Sequence, residues 1–158
     1  MMTWSFWFRR LVEVTVALTL AFVVIQLSSA IGQKQKALVP VSAWFVVNEV
    51  FVPDHEYGTD PLLVYDRSIK EDFRGFWIVE VQRLGREGLW SNECSGSGTS
   101  DYDTTDFIVG NQVKWGWFVG RPCAVSPGTY RLRIGWTLRR LDWPEKELTA
   151  FSNTFTVE

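Results

Sequence analysis

The chain opens on one apolar stretch and then changes period. Residues 11–31 read LVEVTVALTLAFVVIQLSSAI, with Glu13 as the only charge. As a helix these residues rise roughly 30 Å, the hydrocarbon thickness of a bilayer. A helix apolar on every side suits lipid better than the core of a small domain. From residue 40 onward the apolar positions recur every two residues, and turn residues interrupt them at fairly regular intervals, as in an antiparallel β-sandwich.

The clearest strand is 130–138, where Tyr130, Leu132, Ile134, Trp136 and Leu138 alternate with Arg131, Arg133, Gly135 and Thr137. One face is core and the other meets water. Residues 76–84 form a second strand, with Trp77, Val79 and Val81 inward and Glu80 and Gln82 in the opposite register. Val113, Trp115, Trp117 and Val119 predict a third alternating face, and Phe151, Asn153, Phe155 and Val157 a closing strand. Residues 44–52 are apolar on both faces, as a central strand would be, and 62–65 add another. Gly85 and Gly88 place a hairpin between Leu84 and Leu89. Residues 95–106, SGSGTSDYDTTD, predict a flexible solvated loop. No later segment holds a long helical period, so the expected fold is all-β behind one N-terminal transmembrane helix.

The flanks of the apolar run orient it. Trp4, Phe6, Trp7 and Phe8 suit the headgroup level, and Arg9 with Arg10 resists translocation, which keeps residues 1–10 in the cytoplasm. Lys34 and Lys36 follow the span with an equal count and weaken that bias. Residues 32–39 then read as a linker, polar at 33–36, and 40–158 as the exported domain. A cleaved secretory signal is the competing reading, with Ser28 and Ala30 as the small residues near a cleavage point. Either reading places the rest of the chain outside the cytoplasm: in the periplasm on an anchor, or secreted if the signal is cleaved.

Charge separates the same two parts. Residues 1–36 carry a net +3 and the remainder −5, within a whole-chain −2. An acidic body argues against nucleic acid as a partner. The nine Trp and eleven Phe supply enough ring area to fill a small core.

Chemistry-bearing candidates are few. Cys94 and Cys123 are the only cysteines, and an even count in an exported domain predicts a disulfide, with two free thiols as the alternative. Closing a loop of that length stabilises by roughly 3 to 4 kcal/mol. Asp101, Asp103 and Asp106 offer oxygens to a cation, but the calcium-loop glycine and terminal Glu are missing, so no metal or cofactor is expected. His55 lies among Asp54, Glu56 and Asp60 without a nucleophile at useful spacing. No catalytic motif with arguable mechanics occurs. Trp90, Trp143, Phe76 and Phe118, if outward, would stack on sugar rings or anchor a protein. Arg131 and Arg133 share a solvent face as a small basic stripe, open to a ligand or to cross-strand carboxylates.

Pro127, Gly128, Thr129 and Tyr130, just before the strongest strand, resemble the tyrosine corner of immunoglobulin-like sandwiches. That resemblance implies the architecture over about residues 40–158 and carries no binding function. The layout of a short anchor, then FWIVEVQR, CSGSG and PGTYRLRIGWTL, is similar to small uncharacterised envelope proteins of proteobacteria and their phages. The function expected is a membrane-anchored, non-catalytic interaction module that binds an envelope protein or itself. A carbohydrate- or cell-wall-binding domain and a carboxylate-based hydrolase are the rivals.

Overall fold

The computed structural model describes residues 4–105, 112–120, 123 and 125–158. The chain divides into two compact units, Met1–Val39 and Pro40–Glu158. The first is helix α1, Trp4–Leu38. It is long and apolar enough to cross a membrane, with mean hydropathy 2.2 over its most apolar window. Some of its polar groups bond within the helix: Thr15 and Thr19 donate to the carbonyls of Leu11 and Thr15 at 2.8 Å, and Glu13 pairs with Arg9 one turn earlier. The helix also runs through 33–36, the stretch expected to be a linker. Gln and Lys are good helix formers, and nothing before Pro40 breaks the ladder.

The second unit is built from antiparallel sheets. Strands β1 (Phe45–Phe51), β2 (Leu62–Ile69) and β5 (Gln112–Lys114) form one sheet in the order β1-β2-β5. The other contains β3 (Phe73–Leu84), β4 (Trp90–Tyr102), β6 (Gly128–Arg139), β7 (Lys146–Phe151) and β8 (Phe155–Val157). Its order is β4-β3-β6-β7, with β8 also on β6. The β3–β6 pair is its spine, in unbroken register from Arg74 opposite Arg139 to Arg83 opposite Tyr130. Tyr130, Leu132, Ile134, Trp136 and Leu138 are buried as their alternation requires, and so are Trp77, Val79 and Val81. The inner faces of the sheets share one core: Trp136 on β6 stacks on Tyr65 of β2 at 5.9 Å and meets Phe45 of β1 at 5.7 Å.

Several expectations are corrected. Strand β1 is an edge, not the centre. Its apolar run is broken by a bulge between Val47 and Glu49, which keeps Asn48 and Glu49 in water and blunts the free edge. Most of 95–106 is not a loop: β4 pairs with β3 over its whole length, from Trp90 opposite Leu84 to Tyr102 opposite Phe73. The turn between them is the expected one, with Gly88 at φ 76°. The small residues of β4 make room above it. A Cβ on Gly98 would lie 2.5 Å from the Trp77 ring, and one on Gly96 would run into the Val119 carbonyl and come within 3.0 Å of the Phe118 oxygen.

That space explains the third correction. Residues 113–119 alternate like a strand, yet only β5 pairs, and Trp115–Phe118 forms a helical turn, α2. The turn sends Trp115 and Phe118 inward together and packs Phe118 against Trp77 at 5.3 Å and Tyr65 at 5.6 Å. It thereby covers β4 at Gly96, while Phe45 of β1 covers the end of the strand at Tyr102. The Cys94–Cys123 disulfide, with Cα atoms 5.7 Å apart, fastens the chain after α2 to the same strand. The closing strand is likewise split. Residues 152–154 interrupt it, so Phe151 points outward while Phe155 and Val157 are buried. Asn153 uses the break: its side chain accepts from the Val52 N–H at 2.7 Å and donates to the Val52 carbonyl at 2.9 Å, tying the interruption to the end of β1.

Candidate functional site

Two places present groups that the fold leaves open, and the sequence candidates distribute between them. The first is the outer face of the larger sheet. Alternation along β3 and β6 turns Phe76, Ile78, Glu80 and Gln82 outward beside Arg131, Arg133, Gly135 and Thr137. Phe76 and Ile78 stay 40% and 42% exposed, and Phe151 on β7 stays 50% exposed. Gly135 leaves open space at their centre, since nothing lies within 4 Å of where its Cβ would stand. A shallow depression of about 200 Å³ results, between Phe76 and Ile78 on one side and Leu148 and Thr149 on the other.

The basic stripe is paired rather than free. Arg133 donates through Nη1 to both oxygens of Glu80, at 3.1 and 3.0 Å. Arg131 donates from Nε to the Gln82 side-chain oxygen at 2.9 Å and lies between the rings of Trp90 and Phe151, 4.3 and 4.8 Å away. Trp90 and Arg131 thus form one stacked unit at the lower end of the apolar patch. Trp143 takes no part. It packs edge-on against buried Trp44 at 5.3 Å and completes the core there. Phe118, offered as a possible outward ring, is buried beneath the α2 turn.

The second place is a cleft of about 790 Å³ beside α2. His55 reaches it because residues 55–57 run alongside β8: the His55 N–H donates to Thr156, the Glu158 N–H to His55, and the Tyr57 N–H to Glu158. Its ring stacks on Phe155 at 5.7 Å and hydrogen-bonds through Nδ1 to the Pro53 carbonyl at 2.9 Å. The bond leaves Nε2 facing away from that carbonyl. Asp60 accepts from the Gly116 N–H at 2.7 Å, and the Pro61 carbonyl accepts from the Trp115 N–H at 3.0 Å, which fixes the helical turn against the 57–60 turn. The rim carries Tyr57, 58% exposed, and Trp117, 61% exposed. Neither ring was singled out for binding from sequence, because strand alternation placed Trp117 in a core-facing row.

Two of the three acidic candidates fall among the described residues, and each is engaged locally. Asp101 pairs with Arg74 at 3.8 Å. Asp103 accepts from the N–H and hydroxyl of Thr105, both at 2.7 Å, and these bonds hold its carboxyl below the usual range. Asp106 lies outside the described residues. Among the described residues no group of three or more His, Cys, Asp or Glu side chains is placed to hold a metal. In the core, burial first and the neighbouring phenol second raise the Tyr65 pKa, and burial raises that of Tyr102, so both phenols stay protonated. Arg67 lies 4.9 and 5.0 Å from their ring centres.

No family model, curated protein or solved structure matches this chain.

Proposed function

We propose that the chain is a membrane-anchored, extracytoplasmic interaction module without catalytic activity, built on an immunoglobulin-like sandwich. Its partner is an envelope protein or a second copy. Two observations support the architecture and a third supports the location. The constant-type order of that fold is 1-2-5-4 on one sheet and 3-6-7 on the other. Here strand 4 has moved to strand 3, giving 1-2-5 and 4-3-6-7. The Tyr130 hydroxyl donates to the Ser126 carbonyl at 2.6 Å, and Arg83 braces the same connection through the Pro127 carbonyl at 2.9 Å. The disulfide favours an oxidising compartment, and Arg9 with Arg10 before the apolar helix favours a cytoplasmic N-terminus.

The observation that carries the binding role is the open apolar centre of the outer sheet face. Phe76 and Ile78 sit side by side on a rigid paired strand, the Glu80–Arg133 and Gln82–Arg131 pairs continue the same face at one end, and Phe151 lies beside those pairs. An exposed apolar patch flanked by hydrogen-bonded polar pairs offers what a protein interface uses. A photo-crosslinking residue at position 78 of the full-length protein, irradiated in its own membrane, tests it. An adduct of twice the chain mass identifies a second copy, and an adduct of another mass identifies an envelope partner. The same residue at position 87 in the β3–β4 turn should give neither. Equal adducts from both positions, or none from position 78, would end the reading.

A further inference from the structure

The cleft beside α2 is independent of the outer sheet face and has a different chemical character. We propose that it binds a β-linked, glucose-configured disaccharide, with Trp117 as the stacking platform. The lining sorts by type. Trp115 and Val157 give an apolar floor, Tyr57 and Trp117 stand exposed at the rim, and His55, Thr59, Asp60 and Lys114 add polar groups. A volume near 790 Å³ falls within the range of small-ligand sites.

Other ligand classes fit less well. An acyl chain or other ligand without hydrogen-bonding groups would cover the Asp60 carboxylate and the Lys114 ammonium without giving either a partner, and an unmade bond to a charged group is costly. A phosphate ligand would meet the Asp60 carboxylate, with Glu56 in the adjoining turn, inside an acidic domain. A glucose-configured ring satisfies both halves of the lining. Its substituents are all equatorial, so its faces are flat C–H surfaces that lie on an indole, while its edge offers hydroxyls that both donate and accept. The hydroxyl edge can accept from Lys114 and donate to Asp60 and to Nε2 of His55, and bonds to the two charged groups are the stronger kind.

The platform is built to stay in place. Trp117 is backed by Phe118 in a parallel stack at 6.4 Å and by Trp77 at 5.8 Å, so its exposed ring is held at the rim instead of sweeping through solvent. Asp60 is fixed by its bond to the Gly116 N–H, which lies between the two tryptophans of the turn. A preorganised ring and carboxylate lose little freedom on binding.

The test uses the full-length chain in lauryldimethylamine oxide micelles, since sugar-headed detergents would occupy the cleft. Saturation-transfer NMR with cellobiose and with N,N′-diacetylchitobiose at millimolar concentration should show transfer to the ring C–H protons of at least one. Trp117→Ala should weaken that signal about tenfold and Lys114→Gln by less. Glu87→Gln, in the β3–β4 turn, should leave it unchanged. Should Trp117→Ala fail to fold, Tyr57→Ala decides in its place. Absence of transfer to both sugars, or transfer indifferent to the cleft substitutions, would overturn the proposal. Neither outcome bears on the sheet-face reading, whose readout is crosslinking at position 78.

Discussion

The β3–β6 pair has two faces made by the same backbone, and they differ in what covers them. On the inner side Trp77, Val79, Leu132, Ile134 and Trp136 are almost wholly buried against the smaller sheet and α2. On the outer side Phe76 and Ile78 keep about two-fifths of their surface in water, beside a glycine with open space above it. Strand pairing fixes which residues share a face, and the neighbouring sheet decides which face is core.

The contrast can be broken most severely from inside. Ile134→Ala, at a position with no exposed surface, should cost about 2 to 5 kcal/mol in denaturant unfolding of the full chain. A loss below about 1 kcal/mol would mean that the inner face is not the closed core described. Glycines on opposite faces give a comparison of sign. Gly98→Ala forces a methyl into the Trp77 ring and should destabilise by about 1 to 3 kcal/mol. Gly135→Ala meets nothing and should stabilise by about 0.4 to 1 kcal/mol through the unfolded chain. Equal shifts in midpoint for the two variants would contradict the assignment of faces. The smallest loss belongs to Ile78→Ser, which should cost about 0.5 to 1 kcal/mol, because its side chain is only partly buried. Crosslinking from the adjacent position 76 should nevertheless fall in that variant if the outer face is where a partner docks.

Legibility in the sequence followed the source of each constraint. The apolar helix and strands β3 and β6 were readable because long regular patterns and burial on one side determine them together. Tyr130 was readable too, since the residues before it set up the hydroxyl's bond to Ser126. Segment 113–119 alternates like a strand, but its neighbours override the pattern: Asp60 takes the Gly116 N–H, and Gly96 opens the space that the turn fills. The glycines and serines of β4 looked like flexible chain for the same reason. Their smallness serves contacts with Trp77 and Val119, residues 21 positions before Gly98 and 23 after Gly96. The cleft was therefore invisible, since Trp117 reaches its rim only once the strand pattern has given way to a helical turn.

Local sequence by itself determined where the apolar helix lies, that the rest of the chain pairs as strands, and which side chains of the longest strands point the same way. Those properties depend on hydropathy and on the two-residue repeat of an extended backbone, both of which act between near neighbours. Tertiary structure alone decided which strands are edges, that a β-like stretch coils into α2, and which aromatic rings remain in water. Each of those outcomes depends on what a distant segment places opposite, and no pattern within a single stretch of chain carries that information.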